Sequence, residues 1–190
     1  MLRLYCAPTV SMTKFDPKIH HRRSIRLKGY DYTSAGAYFV TVVTYQRDRL
    51  FGDITNEEMR LSGLGKVADE CWRSIPEHFP SVELGAHIVM PNHVHGIIVI
   101  HDDGSGAGDR GKGAAMLRPN VKPGSLGAIV RSYKSAVSYR ANKELNMTAI
   151  WQRNYYEHII RNEKELDNIW RYIESNPARW EEDEENPNRR

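Results

Sequence analysis

Two apolar runs, Val82–Met90 and His93–Ile100, are separated only by Pro91 and Asn92. So short a Pro-Asn connection is a hairpin signal, although the turn type is not the most favoured one, and it predicts neighbouring antiparallel strands. Pairing across that turn sets Met90 opposite His93 and Ile88 opposite His95, and puts His87 on the other face. The rest of the chain has to fit around this hairpin. Ala37–Tyr45 is β-branched and aromatic, a strand, and Tyr155–Ile160 is a short one. Leu64–Phe79 carries Leu64, Val67, Ala68, Cys71, Trp72 and Ile75 at helical spacing, disturbed near its end by Pro76. Ser125–Leu145 is a second helix, with Leu126, Ile129, Val130, Tyr133 and Val137 along one stripe. Asn162 caps a third, whose buried face is Leu166, Ile169, Trp170 and Ile173 and which Pro177 helps to end. The order β-α-β-β-α-β predicts an α+β fold, a ferredoxin-like split βαβ sandwich, with an additional C-terminal helix that carries Tyr172.

At 190 residues, the chain is long enough for one domain with a sizeable core. Its 40% hydrophobic and 27% charged residues argue against a disordered, collagen-like or membrane protein. Two cysteines, Cys6 and Cys71, are too few for a disulfide framework, which points to a reducing cytoplasm. Residues 110–143 hold eight Lys or Arg and no Asp or Glu, and a second basic group lies at Arg22, Arg23, Arg26 and Lys28. Such surfaces meet phosphate backbones, although a merely solvated basic face has the same composition. The Gly-rich stretch 102–124 reads as a loop without a P-loop pattern. We expect a disordered extension over 1–20, a functional domain over 21–180 and an acidic, mobile tail over 181–190.

His93-Val94-His95 is the sharpest local feature. On a strand, residues i and i+2 face the same way, so the two imidazoles can hold one cation, or simply make ordinary hydrogen bonds at a hairpin mouth. Tyr172 and Asn176, four apart, share a helix face beside the apolar stripe. They offer a phenol and a carboxamide to a cleft, or else packing and a helix stop.

Together these residues resemble the REP-associated tyrosine transposases, single-tyrosine HUH transposases of bacterial insertion sequences. The likeness rests on His93-Val94-His95, Trp151-Gln152-Arg153, Tyr156-Glu157-His158 and Tyr172-Ile173 with Asn176-Pro177, in that order, over residues 20–180. The resemblance implies a transposase that cleaves and rejoins single-stranded DNA. It implies a divalent metal, Mg²⁺ or Mn²⁺, on His93 and His95 with Asn176 as third ligand. Tyr172 would attack the scissile phosphate and form a 5′-phosphotyrosine. Arg22, Arg23, Arg26, Lys28, Arg131, Lys134, Arg140 and Arg153 become candidates for contacting the DNA. Partners would be single-stranded or hairpin DNA from REP-like repeats and no membrane, the protein acting as a monomer or homodimer in the cytoplasm, associated with the nucleoid. The alternative is a domesticated hairpin-binding module without catalysis. Metal-dependent hydrolysis of a small molecule would leave the basic segments idle.

Overall fold

A computed structural model of the chain describes residues 27, 29–102 and 122–189. Four strands form its main sheet: β1 (Gly36–Val43), β4 (Val82–Val89), β5 (His93–Ile100) and β6 (Tyr156–Ile160). Between β1 and β4 come a small hairpin of β2 (Gly52–Thr55) and β3 (Glu58–Leu61), then helices α1 (Gly63–Arg73) and α2 (Ile75–His78). α3 (Leu126–Leu145) precedes β6, and α4 (Glu163–Ser175) follows it. The sheet order is β4-β5-β1-β6, antiparallel throughout, which is the split βαβ arrangement expected from the sequence.

The hairpin register is also the expected one. Ile88 pairs with His95, Val89 with Val94, and the Met90 N–H donates to the His93 carbonyl at 2.8 Å. His87 pairs with Gly96, so its ring lies on the opposite face from the His93 and His95 rings.

Alternation along the two central strands divides the molecule. Tyr38, Val40 and Val42 of β1, with Val94, Ile98 and Ile100 of β5, face α1 and α3 and join the core around Trp72, Leu126, Ile129 and Tyr133. Burying side chains of this size stabilises by roughly 1.5–3 kcal/mol each before conformational entropy is subtracted. Gly96 is small for a packing reason: a Cβ there would lie 2.2 Å from the Trp72 ring. The other face of the sheet carries Phe39, Thr41, His93 and His95, and α4 lies across it, with the Tyr172 ring edge-on to Phe39. Asn162 caps α4 as expected, its side chain accepting from the Glu165 N–H.

The expected single helix over 64–79 is two. α1 stops at Arg73, and Pro76, which has no N–H to donate, sits in the first turn of α2. No apolar periodicity marks the β2–β3 hairpin in the sequence. Its turn residues Asn56 and Glu57 both have positive φ, 52° and 62°, in a turn whose usual signature is Asn-Gly. The acidic run also differs from a mobile tail. A 3-10 segment, Pro177–Glu182, lays it back on the body, with Trp180, Asp183 and Asn186 buried. Charge composition hid this docking, because Trp180 supplies its apolar anchor and polar side chains satisfy the rest. Residues 1–20, expected to be a disordered extension, lie outside the described residues. Among the described residues, no helix is long and apolar enough to cross a membrane.

Candidate metal and tyrosine site

β5 projects His93 and His95 side by side, their ring centroids 4.3 Å apart, and both are buried. The third member is Asp183, delivered by the docked C-terminal segment. One donor atom from each of His93, His95 and Asp183 lies within 4.8 Å of the other two. α4 adds Tyr172, whose phenolic oxygen is 3.3 Å from His95 Nε2 and donates to Asp183 Oδ2 at 3.3 Å. One turn on, the Asn176 amide donates to the same Oδ2 at 3.1 Å. The i, i+4 spacing therefore does place Tyr172 and Asn176 at one site.

Polar neighbours orient the rings. Thr41 Oγ1 lies 2.9 Å from His95 Nδ1, and Asn92 Oδ1 lies 2.9 Å from His93 Nδ1. With both Nδ1 atoms engaged, the two Nε2 atoms are left facing Asp183 and Tyr172. His93 Nε2 and Asn176 Oδ1 are buried and have no protein hydrogen-bond partner. Burial holds His93 well below the ordinary imidazole range, helped by His95. Burial also lowers His95, against the opposing pull of Asp183. Burial alone would raise the Asp183 carboxyl, but hydrogen bonding at His95, the adjacent His93, the Glu185 N–H and the Asn176 amide together leave it well below the carboxylate range. Tyr172 is pushed up to about 12 by burial and by the Asp183 carboxylate, against a smaller lowering contribution from Asn176.

This donor set fits a divalent cation. An ionised carboxylate is buried beside two imidazoles that burial favours in their neutral form, and a lone pair points in without a partner. Two nitrogens and one carboxylate oxygen suit Mn²⁺ or Zn²⁺, and Mg²⁺ with added water. The sequence does not single out Asp183, which is one of five consecutive acidic residues with nothing in its spacing to separate it from its neighbours. The sequence shows Asn92 only as part of the turn.

The basic candidates divide. Lys134 and Arg153, with exposed Arg131, line a groove of about 1120 Å³ together with Lys122, Tyr32 and Trp151. Lys134 Nζ donates to the carbonyls of Gln152 and Asn154, and burial lowers it to about 8. None of His93, His95, Tyr172, Asn176 or Asp183 lines this groove. Arg140 does not join it, since its guanidinium is taken up by Glu70 and Glu144, each at 2.7 Å. Arg22, Arg23, Arg26 and Lys28 lie outside the described residues. His158 is exposed and paired with Glu165 at 2.6 Å.

No family model matches the chain. It is 44% identical over 177 residues to an uncharacterized protein of Haemophilus influenzae, covering 90% of this chain and 97% of that one. It is 26% identical over 149 residues to a second protein of that organism, named "Putative REP-associated tyrosine transposase", covering 78% and 74% of the two chains. In fold it is similar to a REP-associated tyrosine transposase solved bound to a REP hairpin. The TM-score is 0.56 at 19% identity, over 82% of this chain and 74% of that one. In its motifs, in its named relative and in its fold, the chain is similar to the REP-associated tyrosine transposases.

Proposed function

We propose that this chain is a metal-dependent endonuclease and strand transferase on hairpin-containing single-stranded DNA, with Tyr172 as its nucleophile. The observation that carries the reading is the phenolic oxygen of Tyr172, 3.3 Å from both His95 Nε2 and Asp183 Oδ2, inside the three-residue donor cluster. Likeness in fold to a transposase solved bound to a REP hairpin supports a nucleic-acid hairpin as the substrate class.

His93, His95 and Asp183 are the residues that would hold the cation, with the Asn176 carbonyl oxygen as a further ligand. A bound divalent ion supplies charge stabilisation to phosphate oxygens during in-line displacement and offsets the negative field at the phenol. The protein's own groups do the remaining work. Asp183 accepts a hydrogen bond from the Tyr172 hydroxyl, which aims the oxygen. Asn176 holds Asp183 in turn. Attack of the phenolic oxygen on phosphorus forms a 5′-phosphotyrosine as the phenol proton passes to solvent, and the departing DNA oxygen takes up a proton from solvent and leaves as a 3′-hydroxyl. The covalent link conserves the phosphodiester for rejoining, and the phenol is the leaving group on the return step. Arg131, Lys134 and Arg153 would track the DNA backbone along the groove.

The test incubates labelled hairpin oligonucleotides from repeats flanking the gene with Mn²⁺ and analyses them on a denaturing gel. A protein–DNA adduct that requires the metal and disappears in Tyr172→Phe supports the reading. Cleavage that persists in Tyr172→Phe contradicts it, and tight binding without cleavage, across those repeats and with Mg²⁺ as well, favours a hairpin-binding module.

A further inference from the structure

Asn92 is completely buried and uses all of its hydrogen-bonding atoms. Its Nδ2 donates to the Arg47 carbonyl at 3.1 Å and to the Glu185 carbonyl at 2.7 Å, and its Oδ1 lies 2.9 Å from His93 Nδ1. The two carbonyls can only accept, so the amide has one orientation: reversing it would press oxygen against oxygen twice. Oδ1 can only accept as well, so the atom facing it, His93 Nδ1, must carry the proton. A neutral imidazole has one N–H, and Nε2 is then a bare lone pair. That is the atom found buried without a protein partner.

We infer that Asn92 is a positioning residue that fixes His93 as the Nδ1–H tautomer and keeps its Nε2 lone pair in the donor cluster. The usefulness of that tautomer rests on the metal reading above; the tautomer itself does not. The carbonyls that orient Asn92 come from the turn after β1 and from the docked C-terminal segment, so the segment that brings in Asp183 also sets the neighbouring histidine. Partners of this kind, on the far nitrogen of a ligating histidine, typically change metal affinity by 10–100-fold when removed.

The experiment is long-range ¹H–¹⁵N correlation NMR on the metal-free, full-length chain with labelled histidine at pH 7.5, the His93 signals being identified with His93→Gln. Co²⁺ titrations accompany it. The wild type should show His93 protonated at Nδ1 only. Asn92→Ala should lose that single form and bind Co²⁺ 10–100-fold more weakly. Val94→Ala, a cavity on the opposite face of β5, should lower the melting temperature and leave the tautomer alone. A wild-type ring protonated at Nε2 overturns the inference even if no variant folds, and so does an unchanged tautomer in a folded Asn92→Ala. A wild-type Nδ1–H ring that binds no Co²⁺ supports the positioning role and contradicts the metal reading.

Discussion

The Tyr172 phenolic oxygen and His95 Nε2 lie 3.3 Å apart although 77 positions separate the residues in the chain. The sheet accounts for this meeting. β5 sends His95 to the face opposite the main core, and α4, entering from β6, crosses that face with Tyr172 on its inner side. Asp183 closes the group from the C-terminal segment and shares the phenol with His95.

Removing the Asp183 charge should show in metal affinity. We expect Asp183→Asn to weaken Mn²⁺ binding by tenfold or more in isothermal titration, and Glu181→Gln, exposed in the same acidic run, to leave it unchanged. The Tyr172 phenol, pushed up to about 12 partly by Asp183, should titrate lower in Asp183→Asn. Equal effects of the two substitutions would mean that the run acts only through its overall charge.

Gly96 holds open the space for Trp72 under the histidine strand. We expect Gly96→Ala to destabilise the chain by about 1–3 kcal/mol, the usual range for overpacking, as measured by denaturant unfolding. A neutral substitution would mean that the Trp72 indole moves aside freely.

The frame was legible in the sequence wherever periodicity was unbroken. The β5 hairpin, the α3 stripe and the Asn162 cap of α4 sit where the apolar spacing put them. The site was legible in part: His93, His95, Tyr172 and Asn176 come together. Asp183 and Asn92 were not legible, because their roles depend on contacts between remote segments and their residue types are common in acidic runs and turns. Charge alone also could not separate Arg140, neutralised by Glu70 and Glu144, from Arg131 and Arg153 on the groove.

That division has a consequence for DNA binding. Arg131→Gln and Arg153→Gln should each weaken single-stranded DNA binding and reduce the slope of log affinity against log salt by about 1. Arg140→Gln should leave both within error. Fluorescence anisotropy over a salt series checks this, and a full-sized effect of Arg140→Gln would move the DNA path toward α1.

Lys134 gives a pH dependence of definite sign. Burial lowers it to about 8 in the folded chain from 10.5. Below pH 8 both folded and unfolded states carry the proton and the folded state bears the penalty of the buried charge. Between about 8 and 10.5 the unfolded state binds more protons, so stability rises with pH. We therefore expect the stability of the wild type relative to Lys134→Met to increase from pH 7 to 9.5. A flat or falling difference in urea unfolding over that interval would show that the ammonium is adequately solvated.

The most direct test of the central claim is to locate the covalent link. Hairpin DNA is incubated with the protein and Mn²⁺, the adduct is digested with nuclease and trypsin, and the peptides are read by mass spectrometry. We expect residual nucleotide mass on the peptide Tyr172–Arg179, attached to Tyr172. Nucleotide on Tyr155 or Tyr156, or cleavage with no modified peptide, would contradict Tyr172 as the nucleophile.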